Sequence, residues 1–276
     1  MPSIDQLAPQ FAPFLKKIAS TKTTCINIEL QQENDALLWQ SRLGGRPYLP
    51  LNVEYPKSKL TNRPLQFLAQ INLSEIPSIE DFPEKGILQF YLDMSSMDLG
   101  VDESLDQIQF NHRVLYFPDV IKDDSQLQKS EDLMALSEID EDETELWVAQ
   151  SQLKFNLMEQ YITFFDYRFA PLLFDRDQVA TSDDYDDLVY AYETYQQAYT
   201  EQFQVEGGHR LGGYPNFLHS IDHRTEFDIE DHILLMQLDT DEGLEWGDSG
   251  IAHWFIHPND LKNKDFSKVI FLWACH

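Results

Sequence analysis

The pattern of apolar and polar positions predicts a chain built mainly from β-strands. In residues 23–30, TTCINIEL, apolar and polar side chains alternate, which is the period of a strand with one buried face. Residues 65–73 and 86–93 are almost continuously apolar, and such runs are typical of strands buried on both faces. Shorter strand-like runs occupy residues 113–117, 146–150 and 153–157. We therefore expect β-structure to predominate.

Two stretches have the periodicity of helices. Residues 3–19 open with a capping box, although Pro9 and Pro13 restrict where an N-terminal helix can begin. Residues 183–204 carry an aromatic and apolar stripe, which we interpret as a contact with the core. The stripe consists of Leu188, Tyr192, Tyr195 and Tyr199.

The second half of the chain repeats the order of short motifs found in the first half. SRLGGRPYL at residues 41–49 matches HRLGGYPNF at residues 209–217. In the same order, residues 67–72, 86–93 and 114–117 match residues 234–239, 250–257 and 269–272. Several matches in one order are much less expected by chance than one apolar strand resembling another.

This repetition predicts the architecture of the protein. We expect an α+β fold, predominantly β, in which two tandem copies of a β-rich unit are related by a pseudo-twofold axis and pack into one compact domain, residues 1–276. The copies are assigned to residues 20–118 and 207–276. Residues 119–206 are assigned to a bridge that contains the long helix 183–204.

The charge balance limits the classes of partner. The chain has 48 acidic and 20 basic residues, a formal net charge of -28, and the segment 119–145 is especially acidic. Such a field repels the phosphate backbone, so we expect no binding to nucleic acid. The simplest interpretation of the charge is solubility. The more specific one is an acidic surface that recognises a basic protein.

Cysteine usage and hydropathy predict a cytoplasmic protein. The two cysteines, Cys25 and Cys275, lie at opposite ends of the chain, a usage that suits a reducing compartment. No apolar run reaches the length of about 18 residues that a membrane-spanning helix needs.

The ordered motifs resemble those of the YwqG-like family of bacterial proteins. The resemblance rests on GGRPYLP, PLQFLAQINLSEIP and GILQFYLD, followed by HRLGGYP, LLMQLDTDE and WGDSG. Tyr55-Pro56 stands where these proteins usually have Trp-Pro. The resemblance covers nearly the whole chain and implies a β-rich α+β cytoplasmic protein, but it implies no activity.

Four polar residues occupy matching places in the two copies. Arg42 and Arg210 each precede a Gly-Gly-x-Pro turn, where a guanidinium group beside backbone amides could hold a carboxylate or a phosphate. The alternative is that each arginine pairs within its own fold. Gln70 and Gln237 lie inside apolar strands, where a buried amide either satisfies its hydrogen bonds internally or lines a pocket.

The segment 239–250, DTDEGLEWGDSG, contributes the other candidate residues. Asp239, Asp241 and Glu245 offer oxygen ligands of the kind that Ca²⁺ and Mg²⁺ prefer, although the spacing does not match an EF-hand. The remaining candidates for ligand binding are His209, Trp246 and Asp248.

These features leave three hypotheses about function. The first is a non-catalytic binding protein that recognises a protein partner, which we expect to be basic. The second is a hydrolase or small-ligand-processing enzyme whose cleft between the copies is lined by polar side chains. That lining would comprise Arg42, His209, Arg210, Asp239 and Asp248. The third is a divalent-cation-binding protein. No catalytic residue can be assigned, because Ser249 lacks the GxSxG context and Cys25 has no local partner.

Overall fold

The computed structural model describes most of the chain. The described residues are 4, 7–31, 37–102, 104, 108–129, 146–173, 194–201, 207–218 and 222–276. Within them the strands are β1 (Thr23–Gln31), β2 (Arg42–Leu43), β3 (Gln66–Asn72), β4 (Ile87–Leu92), β5 (His112–Phe117), β6 (Leu146–Val148), β7 (Ser151–Gln160), β8 (His209–Leu211), β9 (Ile233–Asp239), β10 (Leu244–Trp246), β11 (Ile251–Ile256) and β12 (Ile270–Ala274). The predicted predominance of β-structure is confirmed.

Helices contribute little to the described residues. They are α1 (Leu15–Ala19), α2 (Ala170–Leu173), α3 (194–201) and α4 (Pro258–Asn263). The N-terminal helix predicted over residues 3–19 is shorter than expected, because a separate 3-10 turn at Pro9–Phe11 precedes α1 and has proline at its first position. The capping box of Ser3 and Gln6 lies outside the described residues, as do the parts of the predicted helix 183–204 that flank α3.

Ten of the strands form one antiparallel sheet in the order β12-β11-β9-β8-β1-β7-β2-β3-β4-β5. Strands β1 and β7 lie at its centre and pair from Thr23↔Gln160 to Gln31↔Gln152. Strand β1 precedes β2 in the chain but pairs with β8, whereas β7 precedes β8 but pairs with β2. Residues 151–160, which the sequence assigned to the bridge 119–206, therefore belong to the middle of the sheet.

The two ends of the sheet curl towards each other around a shared core. The rings of Phe90 on β4 and Trp254 on β11 pack with centroids 5.2 Å apart, although the two strands lie in opposite halves of the sheet. His112 Nε2 lies 3.0 Å from the carbonyl oxygen of Val269, which joins the start of β5 to the loop before β12. The sheet is thus nearly closed, and residues from both halves bury one hydrophobic core.

A second apolar layer covers the outer face at the end of β7. Phe11 packs edge-to-face on Tyr195 and Tyr199 of α3, with ring centroids 5.2 and 5.5 Å apart. Tyr199 is 2% exposed, so the described part of the aromatic stripe makes the predicted core contact. The helices of the described residues include none that is both long and apolar enough to cross a lipid bilayer.

Candidate functional site

The two Gly-Gly motifs form turns with the same backbone conformation. Gly44 and Gly45 follow β2 with φ of +61° and +72°, and Gly212 and Gly213 follow β8 with φ of +68° and +74°. Glycine adopts this left-handed conformation without the steric cost that a Cβ imposes. The RLGG motif therefore encodes a turn, which we call the first corner after β2 and the second corner after β8.

Gln70 holds the first corner from the neighbouring strand β3. Its Oε1 accepts a hydrogen bond from the backbone N–H of Tyr48 at 2.9 Å, and its Nε2 donates to the carbonyl oxygens of Leu38 and Gln40 at 2.7 Å each. Gln89 on β4 then donates to the carbonyl oxygen of Tyr48 at 2.6 Å. The buried amide is fully used in binding the corner to the sheet.

Gln237 holds the second corner in the same way from β9. Its Oε1 accepts from the backbone N–H of Asn216 at 2.8 Å, and its Nε2 donates to the carbonyl oxygen of Gly208 at 2.8 Å. His253 on β11 lies in the place of Gln89, with its Nε2 2.7 Å from the carbonyl oxygen of Asn216. Both candidate glutamines thus serve the structure of a corner.

The two candidate arginines are buried and bind backbone carbonyl groups. Arg42 donates to the carbonyl oxygen of Leu37, and Arg210 donates to those of Tyr214 and Gly207 at 3.2 and 3.4 Å. Burial lowers the pKa of Arg210 to about 10, so its guanidinium group remains protonated at neutral pH. Strands β7 and β1 separate β2 from β8, and the pairing register also offsets the two arginines by four residues along β1. At the usual strand dimensions their Cα atoms are therefore roughly 19 Å apart.

His209, Asp239 and Asp241 are the candidates that the structure brings together. The backbone N–H of Asp239 donates to His209 Nδ1 at 3.0 Å, so Nε2 carries the proton and donates to Asp241 Oδ2 at 2.9 Å. Partial burial raises the pKa of Asp241, but hydrogen bonds from His209 and the Gly243 N–H outweigh it and hold the pKa below its ordinary value. This arrangement orders the turn after β9, and both histidine nitrogens are occupied.

Strands β6 and β10 form a separate two-stranded sheet, which we call the acidic ribbon together with the turn 240–243. Trp147 and Glu245 are directly opposite each other, and the side chains on either side of them in each strand turn inward, as the period of two requires. Trp147 is 53% exposed, whereas Trp246 is fully buried against Trp254. The exposed aromatic residue of this segment is therefore Trp147, which the sequence did not single out.

Two further candidates are carboxylates that point into solvent. Asp248 and Glu245 are exposed, and Glu245 is on the solvent face of the ribbon. In the described part of the chain, no group of three or more His, Cys, Asp or Glu residues is arranged to hold a metal ion. The five side chains proposed to line one cleft are distributed over both sides of the central strand pair.

A buried ionic network lies beside the second corner, and sequence reasoning missed it. Arg224 donates to Asp166 Oδ2 at 2.8 Å and to Asp222 Oδ2 at 2.6 Å, and these three side chains are at most 3% exposed. Burial raises the pKa of Asp166, but Arg168 and Arg224 outweigh it and hold the pKa below its ordinary value. The residues are 58 positions apart in the chain, so no local motif could reveal the pair of Asp166 and Arg224.

Comparison with known proteins identifies a family and no activity. A search of functionally curated proteins finds no match. The family model described as Domain of unknown function (DUF1963) matches residues 41–275, which include both corners, the central strand β7 and the acidic ribbon. The chain therefore belongs to the DUF1963 family, an uncharacterised domain family.

Proposed function

We propose that this protein is a non-catalytic binding protein that recognises a basic protein partner through the acidic ribbon. The observation that carries the proposal is the half-exposed side chain of Trp147, directly opposite Glu245. Exposed tryptophan is enriched among the residues that dominate binding energy at protein interfaces.

The charge of the ribbon selects the chemistry of the partner. The ribbon contains three carboxylates, those of Asp241, Glu242 and Glu245, and no lysine or arginine, and the whole chain has a net charge of -28. A partner arginine could stack on the ring of Trp147 and bond the carboxylate of Glu245, which combines a cation–π contact with an ion pair. The long-range field would also accelerate association with a basic surface.

The other polar candidates support a binding role over a catalytic one. Gln70, Gln237, Arg42 and Arg210 all make hydrogen bonds within the fold. A general base must reach a substrate proton, and His209 is 3% exposed with both ring nitrogens engaged. The proposal therefore places recognition at the exposed ribbon.

Affinity capture with matched variants tests this function. The wild-type protein, Trp147→Ala and Glu245→Gln would be used as baits, with Met97→Ala as the control because Met97 is also exposed, at 80%. We expect the wild type and Met97→Ala to retain the same basic protein, in a salt-sensitive manner, and the two ribbon variants to lose it. Recovery of only acidic proteins, of none, or of the same partner by Trp147→Ala would refute the proposal.

We also infer that the two halves of the chain are copies of one β-rich unit. We infer further that the protein is of the YwqG-like type and that it is cytoplasmic. The inference is supported by the two corners, which share glycine conformations and glutamine hydrogen bonds, and by the matching strand orders β2-β3-β4-β5 and β8-β9-β11-β12. The exchange of β1 and β7 between halves would follow from a pseudo-twofold axis between them. The absence of a disulfide at Cys25 and Cys275 is compatible with a reducing compartment.

A further inference from the structure

A cavity of about 460 Å³ lies beside the second corner, at the end of strand β9. Residues 163–165 and α3, which belong to the second apolar layer, line it together with Asp239 and Ile251 of the sheet, so the cavity lies where this layer meets the sheet. Its size falls within the range of about 300–1,000 Å³ that is usual for small-molecule sites. Neither Trp147 nor Glu245 lines the cavity, so an inference about it does not rest on the function proposed above.

The equivalent space beside the first corner is filled by aromatic side chains. Tyr48 is fully buried and packs with Ile87, Leu127 and the partly buried ring of Trp39. The tyrosine hydroxyl accepts a hydrogen bond from the backbone N–H of Ile121 at 2.9 Å. The first corner therefore has a solid hydrophobic cluster where its loop meets the start of β4.

Two smaller residues replace those rings at the second corner. Asn216 occupies the place of Tyr48, because each gives its backbone N–H to the corner glutamine. Gly207 occupies the place of Trp39. Trp39 directly precedes Gln40, whose carbonyl oxygen accepts from Gln70, and Gly207 directly precedes Gly208, whose carbonyl oxygen accepts from Gln237. Both Asn216 and Gly207 line the cavity, so the missing rings account for its position.

The cavity combines aromatic walls with a single carboxylate. Its aromatic lining comprises Phe164, Phe165, Tyr199 and Phe217, and Asp239 is the charged side chain among the described residues that line it. A Cβ at Gly207 would lie 2.0 Å from Asp239 Oδ2, so glycine keeps the carboxylate open to the cavity. The two oxygens accept from the N–H groups of Gly208 and Thr240, and each carboxylate oxygen can accept a further hydrogen bond.

We propose that this cavity binds a small organic amine with an aromatic body. The ammonium group would donate to Asp239, and the ring would lie among Phe164, Phe165 and Phe217. Aromatic faces attract cations as well as rings, so both parts of such a ligand match the wall beside them. Arg210 lies behind Gly207 with its guanidinium group on backbone carbonyls, and it is absent from the cavity wall.

Three probes that share one ring test the chemistry of the site. Phenethylamine, 2-phenylethanol and phenylacetate would be titrated into the full-length protein, with binding followed by ligand-observed NMR and by competition between the probes. We expect the amine to bind at least about tenfold more tightly than the alcohol, and the carboxylate not to bind, because a charge-assisted hydrogen bond to Asp239 distinguishes the three. Equal or tighter binding of phenylacetate, or no binding of phenethylamine, would overturn the proposal.

Variants locate the probe in this cavity. Asp239→Asn should remove the preference for the amine and leave the alcohol bound. Asn216→Tyr should fill the cavity with the residue found in the first corner, and Thr200→Trp should fill it from α3 if Asn216→Tyr does not fold. Gln197→Trp, exposed on the same helix, is the matched control and should bind like the wild type. Binding of phenethylamine that survives a folded cavity-filling variant would show a different site and refute the inference.

Discussion

His253 Nε2 lies 2.7 Å from the carbonyl oxygen of Asn216, so this nitrogen carries the ring proton and donates it to the second corner. The opposite nitrogen, Nδ1, is buried and has no hydrogen-bond partner among the described residues. Charging the ring would therefore bury an unsatisfied N–H beside Arg210 and Arg224. Burial lowers the pKa of His253 from 6.5 to about 3, and the two arginines and His223 add to the effect.

The lowered pKa of His253 predicts that the folded protein loses stability on acidification, beginning at a pH above the range in which carboxylates titrate. The unfolded chain takes up a proton on His253 below pH 6.5 and the folded protein does not. The contribution of the neutral, buried His253 to the folding free energy is therefore complete above pH 6.5, and it is lost as the pH falls towards about 3. The loss amounts to about 2 kcal/mol between pH 6 and pH 4.5 at 2.303RT per proton and pH unit. It would be measured as the free energy of unfolding in urea across that range.

The variant His253→Gln isolates the contribution. Glutamine at the matching position, Gln89, already makes the equivalent hydrogen bond, to Tyr48 at 2.6 Å. We expect the variant to fold, to lose about 1 kcal/mol at pH 7 from ring packing on Phe217 and Phe255, and to have a flatter pH profile than the wild type. A pH profile identical to that of the wild type would refute the assignment to His253.

Removing either corner glutamine should destabilise the protein, and Gln70 should matter more. Gln70→Leu leaves the N–H of Tyr48 and several other buried groups without their partner, whereas Gln237→Leu leaves two. At about 1–3 kcal/mol for each group left unsatisfied, both losses exceed the error of urea denaturation. Gln197→Leu, which changes an exposed amide, is the control and should alter the midpoint little. Equal midpoints for all three variants would contradict the assignment of Gln70 and Gln237 as the residues that hold the two corners.

The buried ionic network predicts a large effect of one arginine. Arg224→Met leaves the carboxylates of Asp166 and Asp222 buried without their shared cation, which costs about 3–5 kcal/mol for ion pairs of this kind. Lys22→Met removes an ion pair with Glu159 whose side chains are 45% and 58% exposed, and we expect little change. Similar unfolding midpoints for the two variants would exclude a structural role for the network.

Trp147→Ala should separate binding from stability. The ring is half exposed, so we expect a change in the unfolding free energy of about 1–2 kcal/mol, from the half that is buried. Binding of the basic partner should weaken about 30-fold, because truncating an interface tryptophan commonly costs about 2 kcal/mol. Isothermal titration with the captured partner measures the second quantity, and chemical denaturation measures the first. A variant that loses stability and keeps affinity would reverse the interpretation.

The divalent-cation hypothesis makes a competing prediction at the turn after β9. Asp241 already bonds His209 and the N–H of Gly243, so we expect Ca²⁺ and Mg²⁺ to leave the melting temperature unchanged. Asp241→Ala should cost about 1 kcal/mol by leaving the buried His209 Nε2–H without its acceptor. Thermal stabilisation by either ion in the wild type, abolished in Asp241→Ala, would instead favour a cation site.

The local pattern was a better guide to the strands than to the N-terminal helix, whereas the described part of the predicted helix 183–204 is helical, as α3. Residues 65–73 and 86–93 were predicted from their apolar runs, and they contain β3 and β4 with every strand position buried. The predicted helix 3–19 shortened to α1, because two prolines interrupt its hydrogen-bond ladder. The periodicity of a segment shows which of its faces are apolar, and this is sufficient to locate a strand that is buried on both faces.

The sequence alone determined that RLGG motifs make two similar turns, since glycine adopts their left-handed backbone angles at the least steric cost, and that a buried glutamine follows each turn. Only the tertiary structure decided that β1 pairs with β8 and β7 pairs with β2, that Trp147 is exposed while Trp246 is buried, and that Asn216 and Gly207 line a cavity. Strand pairing depends on the burial of whole sheet faces, and here β1 pairs with a strand more than a hundred residues away in the chain. A cavity depends on surrounding side chains that are too small to fill the space between them. Neither property has a local period that a sequence pattern can display.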